Sequence, residues 1–232
     1  MEEHVFYPLH SLLHRSGLRT DCRERKKRRE YSSLCSLSIP WCCCCLHLGE
    51  TSALLLLTMR VPLVKLIFGL IGREEMIHEI EKELEKYGPV DLRSPIIPFD
   101  FTSYYEKEMG KDLKRRWISV DCLIPENELK RIKLETIGIE NKYRVEGKRT
   151  INIDPGGVSD TRLLLPTTKN YAHRIYLGDG IFCEVTLLYR RKTGWENLPW
   201  TYPDYRTELA HKFFEEVRRK FLEDKKRERG GL

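Results

Sequence analysis

The chain lacks the features that usually announce a function. It contains no GxxxxGK[ST] or GxGxxG phosphate loop, no ligand spacing of the kind a zinc site uses and no nucleophile motif, so neither a reaction nor a cofactor follows from a signature. It also lacks an apolar run of about 20 residues, the length a membrane-spanning helix needs, and no membrane partner is expected. Cysteine is nearly absent from most of the chain. Six of the eight precede Met59, leaving Cys122 and Cys183 isolated like reduced core thiols, which points to a cytoplasmic body. Neither sign of charge dominates: 41 Lys and Arg face 35 Asp and Glu, dispersed along the chain, and the resulting +6 gives little support for a nucleic-acid partner.

What is present is enough for a folded core. Hydrophobic residues make up 41% and charged residues 33%, ordinary for a globular protein. The first 58 residues stand apart, with a basic run from Arg23 to Arg29, four adjacent cysteines (Cys42 to Cys45) and no helical or strand period. A signal-peptide core would be interrupted by Pro40, His47 and Glu50. Regular patterning begins directly after Met59. We therefore expect residues 1–58 to be a non-native or disordered extension and residues 59–232 to form a single α+β domain.

Within that body, Val64 to Ile71 reads as a strand buried on both faces, and Gly69 with Gly72 as the turn out of it. Met76, Ile77, Ile80, Leu84 and Tyr87 fall at helical spacing before Gly88 and Pro89. Pro95 and Pro98 confine Val90 to Phe99 to a sheet edge. Thr102 is placed to cap a short helix ending near Gly110, and Lys114 to Ile124 alternates like a half-buried strand. Pro125 suits a helix start, with Leu129, Ile132, Ile137 and Tyr143 continuing it. Arg149 to Asp154 reads as a fourth strand, closed by a turn at Asp154 to Gly157. The order strand, helix, strand, strand, helix, strand is that of a ferredoxin-like βαββαβ core.

The remainder is an addition to that core. A helical turn or two is expected at Ser159 to Leu165. A β-hairpin follows, His173 to Leu177 and Ile181 to Tyr189, joined at Gly178, Asp179 and Gly180. Leu198 to Arg206 should lie extended across a surface, and Thr207 to Lys226 should form a C-terminal helix burying Ala210, Phe213, Phe214, Val217 and Phe221.

Three constellations could carry chemistry. In the hairpin, a two-residue loop sets Ile175 opposite Glu184 and leaves His173 on the face of Glu184; a three-residue loop sets Arg174 opposite Glu184. His173 could then act as a general base oriented by Glu184, Asp154 or Asp100, or the pair could simply stiffen the sheet. Lys169, His173 and Arg174 could instead receive a phosphate or carboxylate, with the amides around Gly156 and the rings of Tyr104 and Tyr202 beside it. Asp100, Tyr104, Glu106 and Glu108 show no regular oxygen-ligand spacing, and no metal is expected. Trp195, Trp200, Tyr202 and Tyr205, interleaved with arginines, could stack on single-stranded nucleic acid or cover a sheet edge.

Taken together, FDFTSYYEKEMG, NIDPG, KNYAHRIYL and PWTYPDYR, between about Val64 and Arg206, resemble a bacterial and archaeal family of unknown function. The resemblance covers Asp100, Tyr104, Asp154, Gly156, Lys169, His173, Arg174 and Tyr202, and implies a role for none of them. Some family members carry the label GTP-binding protein, which implies a nucleotide partner, although this chain has no phosphate loop to hold one. The expectation is therefore a cytoplasmic domain binding a small anionic, phosphate- or nucleotide-like ligand. A nucleic-acid or protein-binding module using Trp200 to Arg206, and a hydrolase or transferase using His173, are the alternatives.

Overall fold

The computed structural model describes residues 61–230, so the extension expected at residues 1–58 lies outside the described residues. The organising strand is β1 (Leu63–Gly72), buried from Val64 to Gly72. Its uninterrupted apolar run suits a strand covered on both faces. Lys65 is the exception in that run, and its ammonium is neutralised by Asp91 and Asp224, each at 2.8 Å.

α1 (Glu74–Leu84) turns Ile77, Ile80 and Leu84 inward and ends through a 3₁₀ turn, Glu85–Tyr87. β2 (Val90–Arg93) and β3 (Ile97–Pro98) pair only with β4 (Lys114–Pro125), so the proline-broken segment is a sheet edge. Between them lies α2 (Glu106–Met109). Thr102 does not cap it: the Thr102 hydroxyl accepts from the Tyr104 amide at 3.1 Å, and Tyr105 holds the N-cap position. β4 also departs from the half-buried expectation, because Trp117, Ile118, Ser119 and Val120 are all buried. Helices cover both of its faces, which alternation within one strand cannot reveal. Pro125 ends β4 rather than starting α3 (Glu128–Lys142).

β5 (Ile151–Val158) runs antiparallel to β1 along its whole length. The expected turn at Asp154 to Gly157 is therefore a strand. Glycine is needed there for space: a Cβ on Gly156 would stand 2.7 Å from Leu165 Cδ2. The chain reverses instead after Val158, where the Ser159 hydroxyl accepts from the amides of Thr161 and Arg162. Residues expected to be helical form β6 (Arg162–Thr167), whose apolar residues are used to extend the sheet.

β7 (Ile175–Gly178) and β8 (Ile181–Arg190) form the hairpin with a two-residue loop and a bulge at Leu177. The bulge moves the register by one, so Arg174 reaches Glu184 even though the loop is short. His173 lies in a turn just before β7. β9 (Gly194–Asn197) pairs with β8, and a 3₁₀ turn, Pro203–Arg206, replaces the expected extended segment before α4 (Glu208–Gly230).

The nine strands form one antiparallel sheet in the order β2-β4-β1-β5-β6-β8-β7, with β3 on β4 and β9 on β8. α4 lies across one face, where Phe213, Phe214 and Val217 pack with Ile67, Trp117, Leu163 and Leu187. α1 and α3 share the other face. Phe68 meets Tyr87 there at 5.3 Å, and the Tyr87 hydroxyl donates to Glu135 of α3 at 2.6 Å. Among the described residues no helix is long and apolar enough to cross a membrane. Cys183 is a free thiol, raised to about 12 chiefly by burial.

Candidate functional site

β5 and β6 pair through only two residue pairs, Gly157 with Leu164 and Val158 with Leu163. Beyond them the strands part, and the sheet is left with an internal gap. An unpaired strand edge must satisfy its amides elsewhere. Here α3 does it: the Ile153 amide donates to Glu140 Oε1 at 2.6 Å, and Lys133 Nζ donates to the Ile153 carbonyl at 3.0 Å. Lys133 and Glu140 are seven residues apart, two helical turns, so both project from one face of α3. Pro155, two residues on, faces the same edge and has no amide hydrogen to satisfy.

The gap opens into a cleft of about 630 Å³. Its floor is built around Arg115 of β4, which is 1% exposed and lies between the rings of Trp117 and Tyr205, 4.9 and 5.0 Å from their centroids. Gly69 of β1 makes this possible. A Cβ there would be 2.9 Å from both Arg115 Nη2 and the Tyr205 hydroxyl, so this glycine is not the turn read from sequence. Arg115 Nη2 pairs with Asp204 at 3.0 Å, and Nη1 stands 4.0 Å from Asp154. Among the described residues Nε and Nη1 have no hydrogen-bond partner, and neither has the buried Tyr205 hydroxyl.

The carboxyls of the cleft are held differently. Burial would raise Asp154, but Lys133 and Arg115 beside it and the Lys133 and Asn152 hydrogen bonds bring it below the ordinary value. Burial raises Asp204, and Arg115 only partly offsets it. Burial likewise raises Glu140, against the pull of Lys133 and the Ile153 amide. The floor thus holds one carboxyl lowered by its cationic neighbours, Asp154, and two raised by burial, Asp204 and Glu140.

Residues 62–221 match the profile of a domain of unknown function, DUF4416. The chain belongs to that family. It matches no curated protein and no solved structure. Every cleft residue, from Ile71 to Tyr205, lies inside the matched span.

In the DUF4416 domain, six of the candidate residues singled out from sequence line the cleft: Tyr104, Asp154, Lys169, Glu184, Tyr202 and Tyr205. Lys169 hangs over the Tyr104 ring at 4.3 Å and has no carboxylate partner among the described residues. His173 and Arg174 are not in the lining. Both bind Glu184 Oε2, at 3.1 and 2.7 Å, and the His173 ring stacks on Trp200 at 4.7 Å. Arg174 also donates to the Lys169 carbonyl and the Tyr202 hydroxyl, each at 2.8 Å, and so holds the wall together. Asp100 is exposed outside the cleft, and Gly156 packs against β6.

Arg115, Lys133 and Asp204 escaped the sequence reading, and Tyr205 was read only as part of a stacking or edge-covering surface. Arg115 had a signal: it sits two residues from Trp117 in an alternating strand, so it must share the buried face of a tryptophan. Asp204 and Tyr205 belong to PWTYPDYR, where reading the rings as one surface hid that this pair turns inward.

Proposed function

We propose that this DUF4416 domain binds a small anionic ligand, phosphate- or nucleotide-like, in the cleft between β5 and β6. The observation that carries the reading is Arg115, a buried guanidinium with two nitrogens lacking hydrogen-bond partners among the described residues, next to a buried hydroxyl in the same condition. Buried donors without acceptors are costly, and an oxyanion seated on the floor would satisfy them. Of the four cations that line the cleft, Arg115, Lys133, Arg149 and Lys169, the last has no carboxylate partner among the described residues and can face an incoming anion, while Glu184 is tied to Arg174.

The order β2-β4-β1-β5 with α1 and α3 on one face supports a ferredoxin-like reading of the first half, with β6 to α4 as additions. A cytoplasmic location is part of the same proposal. The His173 alternative has less support, because the ring is stacked on Trp200, its Nε2 is engaged by Glu184 and the residue is not part of the cleft lining. The aromatic-segment alternative loses Arg206, whose guanidinium donates to the Thr201 and Pro199 carbonyls, and the Trp200 indole, which donates to the Val185 carbonyl.

Thermal denaturation with millimolar inorganic phosphate and nucleoside phosphates tests the proposal, since a ligand bound only to the folded state raises the apparent Tm. A rise that weakens in Lys169→Ala supports it. No rise with any of them overturns it.

A further inference from the structure

The cleft has two chemically distinct ends. At the floor, Arg115 and Tyr205 are 1% and 2% exposed, whereas Tyr104 at the rim is 58% exposed. Tyr105 joins them. Its ring meets Tyr104 edge-on at 5.1 Å and Phe99 at 5.8 Å, and all three line the cleft. A ligand reaching Arg115 therefore passes along an aromatic wall.

The floor cations differ in what they have left to offer. Lys133 is paired with Asp154, and Arg149 makes a close pair with Glu108 at 2.7 Å. Among the cationic groups of the floor, Arg115 keeps nitrogens without a hydrogen-bond partner among the described residues. One anionic group fits that supply better than a chain of phosphates. At the rim, Lys169 and Tyr104 come from opposite walls and meet through a cation–π contact. Because Arg174 anchors the Lys169 carbonyl, the backbone is fixed and the lysine side chain can swing from the ring. That movement would uncover the face of Tyr104.

Resting on the anion reading above, we infer that the cleft takes a planar-ring phosphate monoester of nucleoside monophosphate size, phosphate on the Arg115 floor and ring stacked on Tyr104 beneath Lys169. A cleft of about 630 Å³ is within the usual range for such ligands.

Titration calorimetry of the full chain with inorganic phosphate, ribose 5-phosphate, adenosine and AMP tests this, with thermal denaturation run in parallel. AMP should bind about tenfold more tightly than ribose 5-phosphate, the contribution expected of one base stacked on a ring. Tyr104→Ala should remove that advantage and leave the ligand-free Tm unchanged, because the ring is mostly exposed. Equal binding of AMP and ribose 5-phosphate overturns the ring subsite and leaves the anion reading standing. Adenosine binding as well as AMP overturns the anion reading, and no binding of any probe overturns both.

Discussion

The Ile153 amide, on the one stretch of β5 that has lost its neighbouring strand, is satisfied by the Glu140 carboxylate at 2.6 Å. A helix side chain thus does the work of a missing strand, and the gap stays open because it is done. Glu140→Ala leaves a buried amide unpaired and should cost about 1–3 kcal/mol in urea denaturation. Glu140→Gln keeps an acceptor and should cost less. The pH dependence separates them further. Glu140 is raised in the folded state, chiefly by burial, so the native protein binds the proton more tightly than the unfolded chain. Its contribution therefore falls as pH rises from the ordinary carboxylate value through the folded one, and the Gln variant should lose that slope.

Gly156→Ala addresses whether this glycine is there for the ligand or for packing. An added Cβ would stand 2.7 Å from Leu165, 2.9 Å from Ile67 and 2.9 Å from the Leu164 carbonyl. One of those contacts is backbone and cannot rotate away. The variant should be less stable by about 1–3 kcal/mol, read as a lower denaturant midpoint. A variant of native stability that fails to bind phosphate would return Gly156 to the site.

How much of this was legible in the sequence depends on whether the signal was local. The β1 run, the α1 period, the proline-marked edge and the Gly178–Gly180 hairpin each show within a dozen residues, and each is present. Asp154 to Gly157 misled because Asp, Pro and Gly are turn formers, whereas here they serve an edge without a partner and a close approach of β6. Ser159 to Leu165 misled because a short apolar run does not distinguish helix from strand. The site was half visible for the same reason. Lys169, Glu184 and Tyr202 cluster around the hairpin, but Arg115 and Lys133 join them only through the split between β5 and β6, a feature of long-range pairing.

Glu184 is 2% exposed and receives both Arg174 and His173. Glu184→Leu would leave the Arg174 guanidinium, itself 4% exposed, without its counter-ion, and should cost about 3–5 kcal/mol. His173→Ala should cost clearly less, because Arg174 still neutralises the carboxylate. Parallel chemical denaturation of the two variants checks the order. If the histidine variant loses as much stability as the glutamate variant, His173 rather than Arg174 is the partner that matters to the wall.

Arg115 offers the sharpest test of the floor, because it stands against both Asp204 and Asp154. Arg115→Met keeps most of the buried stem and removes the charge, leaving the buried Asp204 and the partly exposed Asp154 without it. At neutral pH the loss should be about 3–5 kcal/mol. The sign of the pH response is the more telling readout. In the native protein Asp154 is lowered, so its contribution is present above the ordinary carboxylate value and is lost as pH falls through the folded one. Without Arg115, burial pushes Asp204 further up and Asp154 loses one of the two cations that hold it down. The variant should then recover stability relative to the native protein as the pH is lowered and these carboxyls take up protons. Denaturation midpoints of both proteins from neutral to mildly acid pH should converge; midpoints that stay parallel would mean that Arg115 acts through its packing between Trp117 and Tyr205 and not through its charge.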